Sequence, residues 1–173
     1  MKKILIFKFC LFLALFFSSS AGAGIFIALA PSLTKIDTPS ASTRPLLADF
    51  RLGYEIPHHQ FELAIMSSIK DDQLNQLTVD IPTVTSVFYR YFANSNSGIK
   101  FHLILGVSQI EVESSYPTFP DSTDHFDGFS YGIGLEESFH SIPGLKLKFD
   151  WISLYDGDQI NINATSLGIR YEF

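Results

Sequence analysis

The last eight residues, Ser166-Leu167-Gly168-Ile169-Arg170-Tyr171-Glu172-Phe173, alternate without a break. Counting back from Phe173, one parity carries Phe173, Tyr171, Ile169 and Leu167, and the other carries Glu172, Arg170, Gly168 and Ser166. Successive side chains of a β-strand point to opposite faces, so this segment is a strand with one apolar side and one polar side. An apolar face at the very end of a chain needs a covering layer. A soluble fold would have to supply a second sheet or a helix. A barrel in a membrane has lipid there already, and it turns the polar parity into its lumen. The pattern speaks to location and names no chemistry.

The other end agrees. Met1-Lys2-Lys3 is a short basic start, and Ile4 to Phe17 is apolar apart from Lys8. Ser18-Ser19-Ser20 follows, and then the small-x-small run Ala21-Gly22-Ala23. This order predicts a signal peptide over residues 1–23, cut after Ala23, and a single domain over residues 24–173. An uncleaved anchor helix is the rival reading, because Phe9 to Ala30 is long enough to span. Lys8 and the small-residue cleavage pattern weigh against it. Cys10, the chain's one cysteine, lies inside the signal without the surroundings of a lipidation site. The mature domain is therefore expected to have no disulfide, thiolate metal site or cysteine nucleophile.

Aromatic residues make up 14% of the chain, 17 of them Phe, and the mean hydropathy is +0.19. Yet no apolar run after the signal approaches the length of a spanning helix. Hydrophobic overall without such a helix fits a membrane β-barrel, where each strand offers only alternate residues to lipid. Removing Lys2, Lys3 and Lys8 leaves 9 of the 12 basic residues against 18 acidic ones, a net charge of −9. That acidity argues against a nucleic-acid partner and fits poorly with a protein lying on an anionic membrane surface. No repeat, low-complexity tract or domain linker is visible.

Eight extended segments can be drawn, each near the 9–11 residues of a tilted spanning strand. They are Gly24–Leu33, Leu46–Ile56, Gln60–Ile69, Thr83–Phe92, Ile99–Ile110, Phe129–Phe139, Leu145–Tyr155 and Ile160–Phe173. The first is the least patterned, because Ile25-Phe26-Ile27 is apolar on both parities. The second sets Phe50, Leu52, Tyr54 and Ile56 against Asp49, Arg51, Gly53 and Glu55. The third sets Phe61, Leu63 and Ile65 against Glu62, Ala64 and Met66, and the fifth Phe101, Leu103, Leu105 and Val107 against Lys100, His102, Gly106 and Ser108. The sixth sets Phe129, Tyr131, Ile133 and Leu135 against Ser130, Gly132, Gly134 and Glu136. The seventh sets Leu145, Leu147, Phe149 and Trp151 against Lys146, Lys148 and Asp150. The fourth has aromatics on both parities, and its facing stays open.

The connections sort by length. Thr34–Pro45, Lys70–Asp80 and Ser114–Asp127 read as long loops, while Pro57–His59, Ala93–Gly98 and His140–Gly144 are short. Tyr155-Asp156-Gly157-Asp158 carries the Asp-Gly mark of a tight hairpin turn. Long loops at one end and short turns at the other is the asymmetry of outer-membrane barrels.

On these features the chain resembles the small eight-stranded outer-membrane barrels of Gram-negative bacteria, the OmpA/OmpX-like type. The resemblance rests on Tyr131-Gly132-Ile133-Gly134-Leu135-Glu136, on Leu145–Trp151 and on Leu167-Gly168-Ile169-Arg170-Tyr171-Glu172-Phe173. It covers essentially the whole mature chain. It implies an all-β fold, an eight-stranded antiparallel up-and-down transmembrane β-barrel in the cell outer membrane. Its surroundings would be outer-membrane lipids and lipopolysaccharide, and the assembly machinery would read the strand ending at Phe173. The family includes structural anchors, adhesins, host-factor binders and a few lipid enzymes, so fold and address transfer further than function.

Candidate chemistry is sparse. His58, His59 and His140 fall in short turns, and His102 shares the polar parity of its strand with Lys100. His125 lies in Asp121-Ser122-Thr123-Asp124-His125-Phe126-Asp127, whose oxygen spacing matches no calcium loop. Lipid-modifying barrels need a serine beside a histidine. The nearest such pair, His140-Ser141, sits in a short turn on the side away from outer-leaflet lipid. Asn163-Ala164-Thr165 matches a glycosylation pattern inside a strand. No catalytic residue, metal site or cofactor is therefore assigned. Arg51, Glu55, Glu62, Lys100, Lys146, Lys148, Asp150, Arg170 and Glu172 are expected to point into a lumen too narrow for an aqueous channel, closed by paired charges. The expected function is a non-enzymatic anchor or adhesin-like surface-contact protein, with Ser114 to Asp127 as the loop for a host or surface partner. A small lipid-processing barrel enzyme is the alternative, and a soluble periplasmic lipocalin-like binder of apolar ligands a more distant one. The lipocalin-like fold would crowd Phe129, Tyr131, Phe149, Trp151, Tyr171 and Phe173 into one interior.

Overall fold

A computed structural model describes residues 24–93, 98–139 and 141–173. It contains β1 (Gly24–Asp37), β2 (Ser42–Thr43), β3 (Leu46–Ile56), β4 (His59–Lys70), β5 (Asp72–Leu74), β6 (Leu77–Phe92), β7 (Ile99–Tyr116), β8 (Phe119–Ser138), β9 (Leu145–Asp156) and β10 (Asn161–Glu172). Eight of these, all but β2 and β5, pair antiparallel with their neighbours in chain order. β10 then returns to β1, from Phe26↔Glu172 to Asp37↔Asn161. The sheet closes on itself, which leaves no strand edge along its wall. The fold is the eight-stranded up-and-down barrel, and all eight expected strands are in it. β2 and β5 are short additions on the ends of β1 and β6. The expected signal peptide lies outside the described residues.

Apart from Lys100, which is exposed, the facings read from the alternation hold along the wall. Phe101, Leu103 and Ile133 are each 58% exposed, whereas Arg90 and Arg170 are 0% exposed. A barrel that is greasy outside and charged inside is inverted relative to a soluble protein, so its outer belt requires lipid. The strand whose facing stayed open, within β6, turns Val84, Ser86, Phe88, Arg90 and Phe92 inward and Thr85, Val87 and Tyr91 outward. Arg90 decides this, because a guanidinium on the lipid face costs about 2–4 kcal/mol at mid-depth. In β1 the inward member of the ambiguous Ile25-Phe26-Ile27 is Phe26. Its ring fills the space left by Gly53, where a Cβ would stand 2.1 Å from it.

The strands run further than expected at the end bearing the long connections, called the upper end below. Ser114–Asp127 is not a loop. β7 continues to Tyr116 and β8 starts at Phe119, with Ser114↔Ser122 and Tyr116↔Phe119 paired around a turn at Pro117-Thr118. Pairing with β7 satisfies the backbone of this polar, proline-flanked stretch, which its composition had marked as irregular. The start of β6 joins the same ribbon through Thr78↔Ser115 and Asp80↔Glu113. Lys70–Asp80 likewise becomes a β5–β6 hairpin turning at Asn75, whose φ is 59°. Thr34–Pro45 keeps irregular backbone mainly between Asp37 and Ser42. At the lower end, His58 takes φ 66° between β3 and β4, and Gly144 takes φ 81° before β9. The carbonyl of Gly144 accepts the Glu172 N–H at 2.9 Å, which ties that turn to the last strand. Residues 94–97 and His140, in the other two short turns, lie outside the described residues.

Candidate functional site

The lower half of the lumen is ionic. Arg51 donates from Nε and Nη2 to Asp49, at 2.9 and 2.5 Å, and from Nη1 to Glu62 at 3.1 Å and Asp150 at 2.9 Å. Arg90 meets Asp150 bidentately, at 2.8 Å from each Nη, and its Nε stands 2.8 Å from Glu62. Lys148 donates to Glu62 at 2.9 Å and lies 3.4 Å from Asp150. Three cations thus face three carboxylates, all nearly or wholly buried. One layer lower, Arg170 donates to Glu136 at 2.9 Å and pairs with Glu55, while Lys146 donates to Glu172 at 2.8 Å. Isolated charges at this depth would cost several kcal/mol each, and mutual pairing offsets that cost. Two phenylalanines serve as platforms. The Arg170 guanidinium lies 3.9 Å over the Phe26 ring and that of Arg51 5.4 Å from Phe88.

This network corrects the expected list of inward charges. Lys100 is exposed at the lower rim, 5.9 Å from the Phe92 ring. Asp49 and Glu136 share the polar parity of their strands and belong inside, as does Arg90. Gly53 and Gly106 stand against the Phe26 and Phe88 rings, while Gly134 abuts Asp150 and Gly24 abuts Glu172. A Cβ on Gly134 would stand 2.2 Å from Asp150 Oδ1 and 2.3 Å from His102 Nε2.

The upper half of the lumen is a dry plug. Leu47, Met66, Ile81, Val84, Ile110, Leu154 and Ile162 pack in one buried cluster, which the alternation alone did not reveal. Ser86, Ser108 and Ser130 cross it as a ladder, with Oγ–Oγ distances of 2.7 and 2.6 Å, and Ser130 donates to the Leu154 carbonyl. Ions below and hydrocarbon above leave no described channel through the barrel.

Histidine chemistry is confined in the same way. His102 Nε2 sits 3.0 Å from Asp150 Oδ1 and against Arg90, with its ring 5.0 Å from Phe92. No described serine hydroxyl bonds to it; the serine ladder bonds within itself. His59 Nδ1 lies 2.8 Å from the Tyr89 hydroxyl on the outer wall. His125 is exposed on β8, and Ser141 is exposed in its turn. Strand geometry divides the Asp121–Asp127 run between two faces, with Asp121, His125 and Asp127 on the outer parity and Asp124 on the inner. Among the described residues no group of three His, Cys, Asp or Glu could hold a metal ion.

Charge is segregated along the axis. The upper end carries Asp37, Asp71, Asp72, Asp80, Glu111, Glu113, Asp121, Asp124, Asp127, Asp156 and Asp158 against Lys35, Arg44 and Lys70. The lumen and lower end hold the remaining seven acids and six bases, close to balance. The acids on the ribbon face outward at Glu111, Glu113, Asp121 and Asp127. On the far side of β8, pairing with β9 reaches only to Tyr131↔Ser153. From Phe119 to about Asp127, β8 therefore presents a strand edge that no described strand covers.

No protein-family model matches the sequence, and comparison with curated proteins gives no match. Solved structures do match. Ail, the attachment invasion locus protein of Yersinia pestis, solved in complex with the heparin analogue sucrose octasulfate, aligns with a TM-score of 0.66 at 14% identity, over 88% of this chain and 100% of its own. Neisserial surface protein A aligns with 0.64 at 15% identity, over 88% and 100%. The N-terminal β-barrel domain of Pseudomonas aeruginosa OprF aligns with 0.61 at 12% identity, over 90% and 100%. At these identities the likeness establishes the fold: a small eight-stranded outer-membrane β-barrel. With its lipid-requiring belt, the chain is an outer-membrane protein.

Proposed function

We propose that this barrel is a non-enzymatic surface-contact protein whose acidic ribbon meets a basic partner outside the cell. The observation that carries the reading is the uncovered β8 edge beyond the lipid belt, flanked by outward Glu111, Glu113, Asp121 and Asp127. A free edge offers unpaired N–H and C=O groups, and the acids set which partner can approach. Ail is known in complex with a heparin analogue. The crown here has the sign that turns a sulfated glycan away, so this chain's partner is cationic. On the same reading residues 1–23 are removed on export and the outer-membrane assembly machinery reads the strand ending at Phe173. The barrel itself anchors among lipids and lipopolysaccharide, and catalyses no change in them.

The test uses the barrel in lipid nanodiscs over immobilised polylysine and immobilised heparin. Wild type should bind polylysine in a salt-sensitive way and ignore heparin. Replacing Ser114–Ser122 with Asn-Gly joins the paired Glu113 and Thr123 by a two-residue turn. That variant, and Asp121→Lys/Asp127→Lys, should lose most of the binding while remaining folded. Preference for heparin, or binding indifferent to both variants, defeats the proposal. Release of fatty acid or of any modified lipid from the host nanodisc would show an enzyme instead.

A further inference from the structure

We infer that the extracellular mouth of the barrel is a binding site for a small amphipathic cation, an apolar body carrying an ammonium or similar group. Above the dry plug the strands leave a cavity of about 230 Å³, with Ile36, Val79, Val112 and Phe126 as its apolar wall and Thr38 and Asp124 among its polar lining. Ile81 and Ile110, one step deeper on β6 and β7, and Leu47 and Leu154 of the plug on β3 and β9, are wholly buried. The cavity is therefore a cup with a sealed floor, suited to holding a molecule and not to passing one.

Two observations set the ligand's chemistry. An apolar concavity at the wet end of a protein gains free energy when an apolar body displaces its water, and this one is smaller than the roughly 300–1,000 Å³ of drug-sized sites. Asp124 is the carboxylate at this lining, and no described residue forms an ion pair with it. Around it the mouth bears eleven acids and three bases, so the field there gathers cations and repels anions. The inference is independent of the ribbon contact proposed above. Asp124 and Phe126 lie on the inner parity of β8, while the acids offered to a partner lie on the outer one.

The experiment uses three matched probes, 4-phenylbutylammonium, 4-phenylbutanol and 4-phenylbutyrate, titrated into the full barrel in nanodiscs with labelled isoleucine and valine methyls. The cation should shift Ile36, Val79, Val112 and Ile160 saturably, and Ile104 and Ile152 in the sealed lumen should stay in place. Affinity should fall in the order cation, alcohol, carboxylate. Asp124→Asn should weaken the cation by up to about fivefold, as for an exposed ion pair, and leave the alcohol unchanged. Val112→Trp, which fills the cup, should abolish both, with gel mobility before and after heating confirming a folded barrel. Equal or tighter binding of the alcohol or carboxylate overturns the charge assignment. Shifts confined to lipid-facing methyls such as Val107 and Ile133, or no saturable shift, overturn the site.

Discussion

Asp150 is the residue on which the ionic layer turns, and its neutralisation has a calculable effect. One carboxylate receives Arg51 at 2.9 Å, both Nη atoms of Arg90 at 2.8 Å, His102 at 3.0 Å and Lys148 at 3.4 Å. Asp150→Asn preserves the volume and removes the charge. Arg51, Arg90 and Lys148 are then left facing Asp49 and Glu62, three cations against two anions. Each contact near 3 Å corresponds to about 5 kcal/mol at an effective dielectric of about 20, and recovered hydration of the lost carboxylate cancels most of the sum. The net expectation is the cost of orphaning a buried charge, about 3–5 kcal/mol. Lys148→Met should cost less, because Glu62 keeps Arg90 at 2.8 Å and Arg51 at 3.1 Å. The double variant restores two cations against two anions. It should be more stable than the sum of the single changes by about 1–3 kcal/mol. Urea unfolding in lipid vesicles, followed by the fluorescence of Trp151, the only tryptophan, and by gel mobility, measures all four corners of the cycle. A loss below about 1 kcal/mol for Asp150→Asn, or strict additivity in the double variant, would refute a tightly paired dry network.

Other consequences are equally specific. Gly134→Ala forces a methyl against Asp150 and His102 and should cost about 1–3 kcal/mol in the same assay, whereas Gly98→Ala, with nothing within 4 Å, should be near neutral. Leu105→Arg, on the lipid face, should destabilise by about 2–4 kcal/mol, while Phe119→Arg at the ribbon tip, 70% exposed, should change stability by less than about 0.5 kcal/mol. Phe173 is 74% exposed and its N–H donates to the Ile25 carbonyl at 3.0 Å. Deleting it should reduce the inserted fraction in cells far more than the unfolding free energy of purified barrel, with Glu172→Gln sparing insertion; equal effects on insertion would reduce Phe173 to ordinary packing. N-terminal sequencing of the mature protein should begin at Gly24, and an unprocessed product would point to an anchor helix instead.

Period-2 alternation carried most of the fold, because each wall residue meets one of two extreme environments, lipid or lumen. Leu145–Trp151 and Leu167–Phe173 are unambiguous for that reason. Thr83–Phe92 was not, since Phe88 and Phe92 fill the lumen while Tyr89 and Tyr91 face out, so hydropathy gives both parities the same weight. Arg90 held the missing signal, because a guanidinium has only one tolerable side. The ribbon was hidden for a different reason: Ser114–Asp127 is wet on its outer face and its order comes from cross-strand pairing. The mouth cavity was also illegible, because Ile36, Val79, Val112 and Phe126 are far apart in sequence and only closure of β1 on β10 gathers them.

The division of the lumen into an ionic lower layer and a hydrocarbon upper layer gives the interior two different rules of mutational drift. In the upper layer, one aliphatic side chain can be exchanged for another in a single step, with neighbours such as Met66 shifting to accommodate it. Below, a lone change of sign strands its partners, so viable lineages must pass through paired or charge-preserving steps. The same barrel is therefore permissive over one half of its interior and historically constrained over the other. Divergence should accumulate in blocks along the axis, not evenly along the chain.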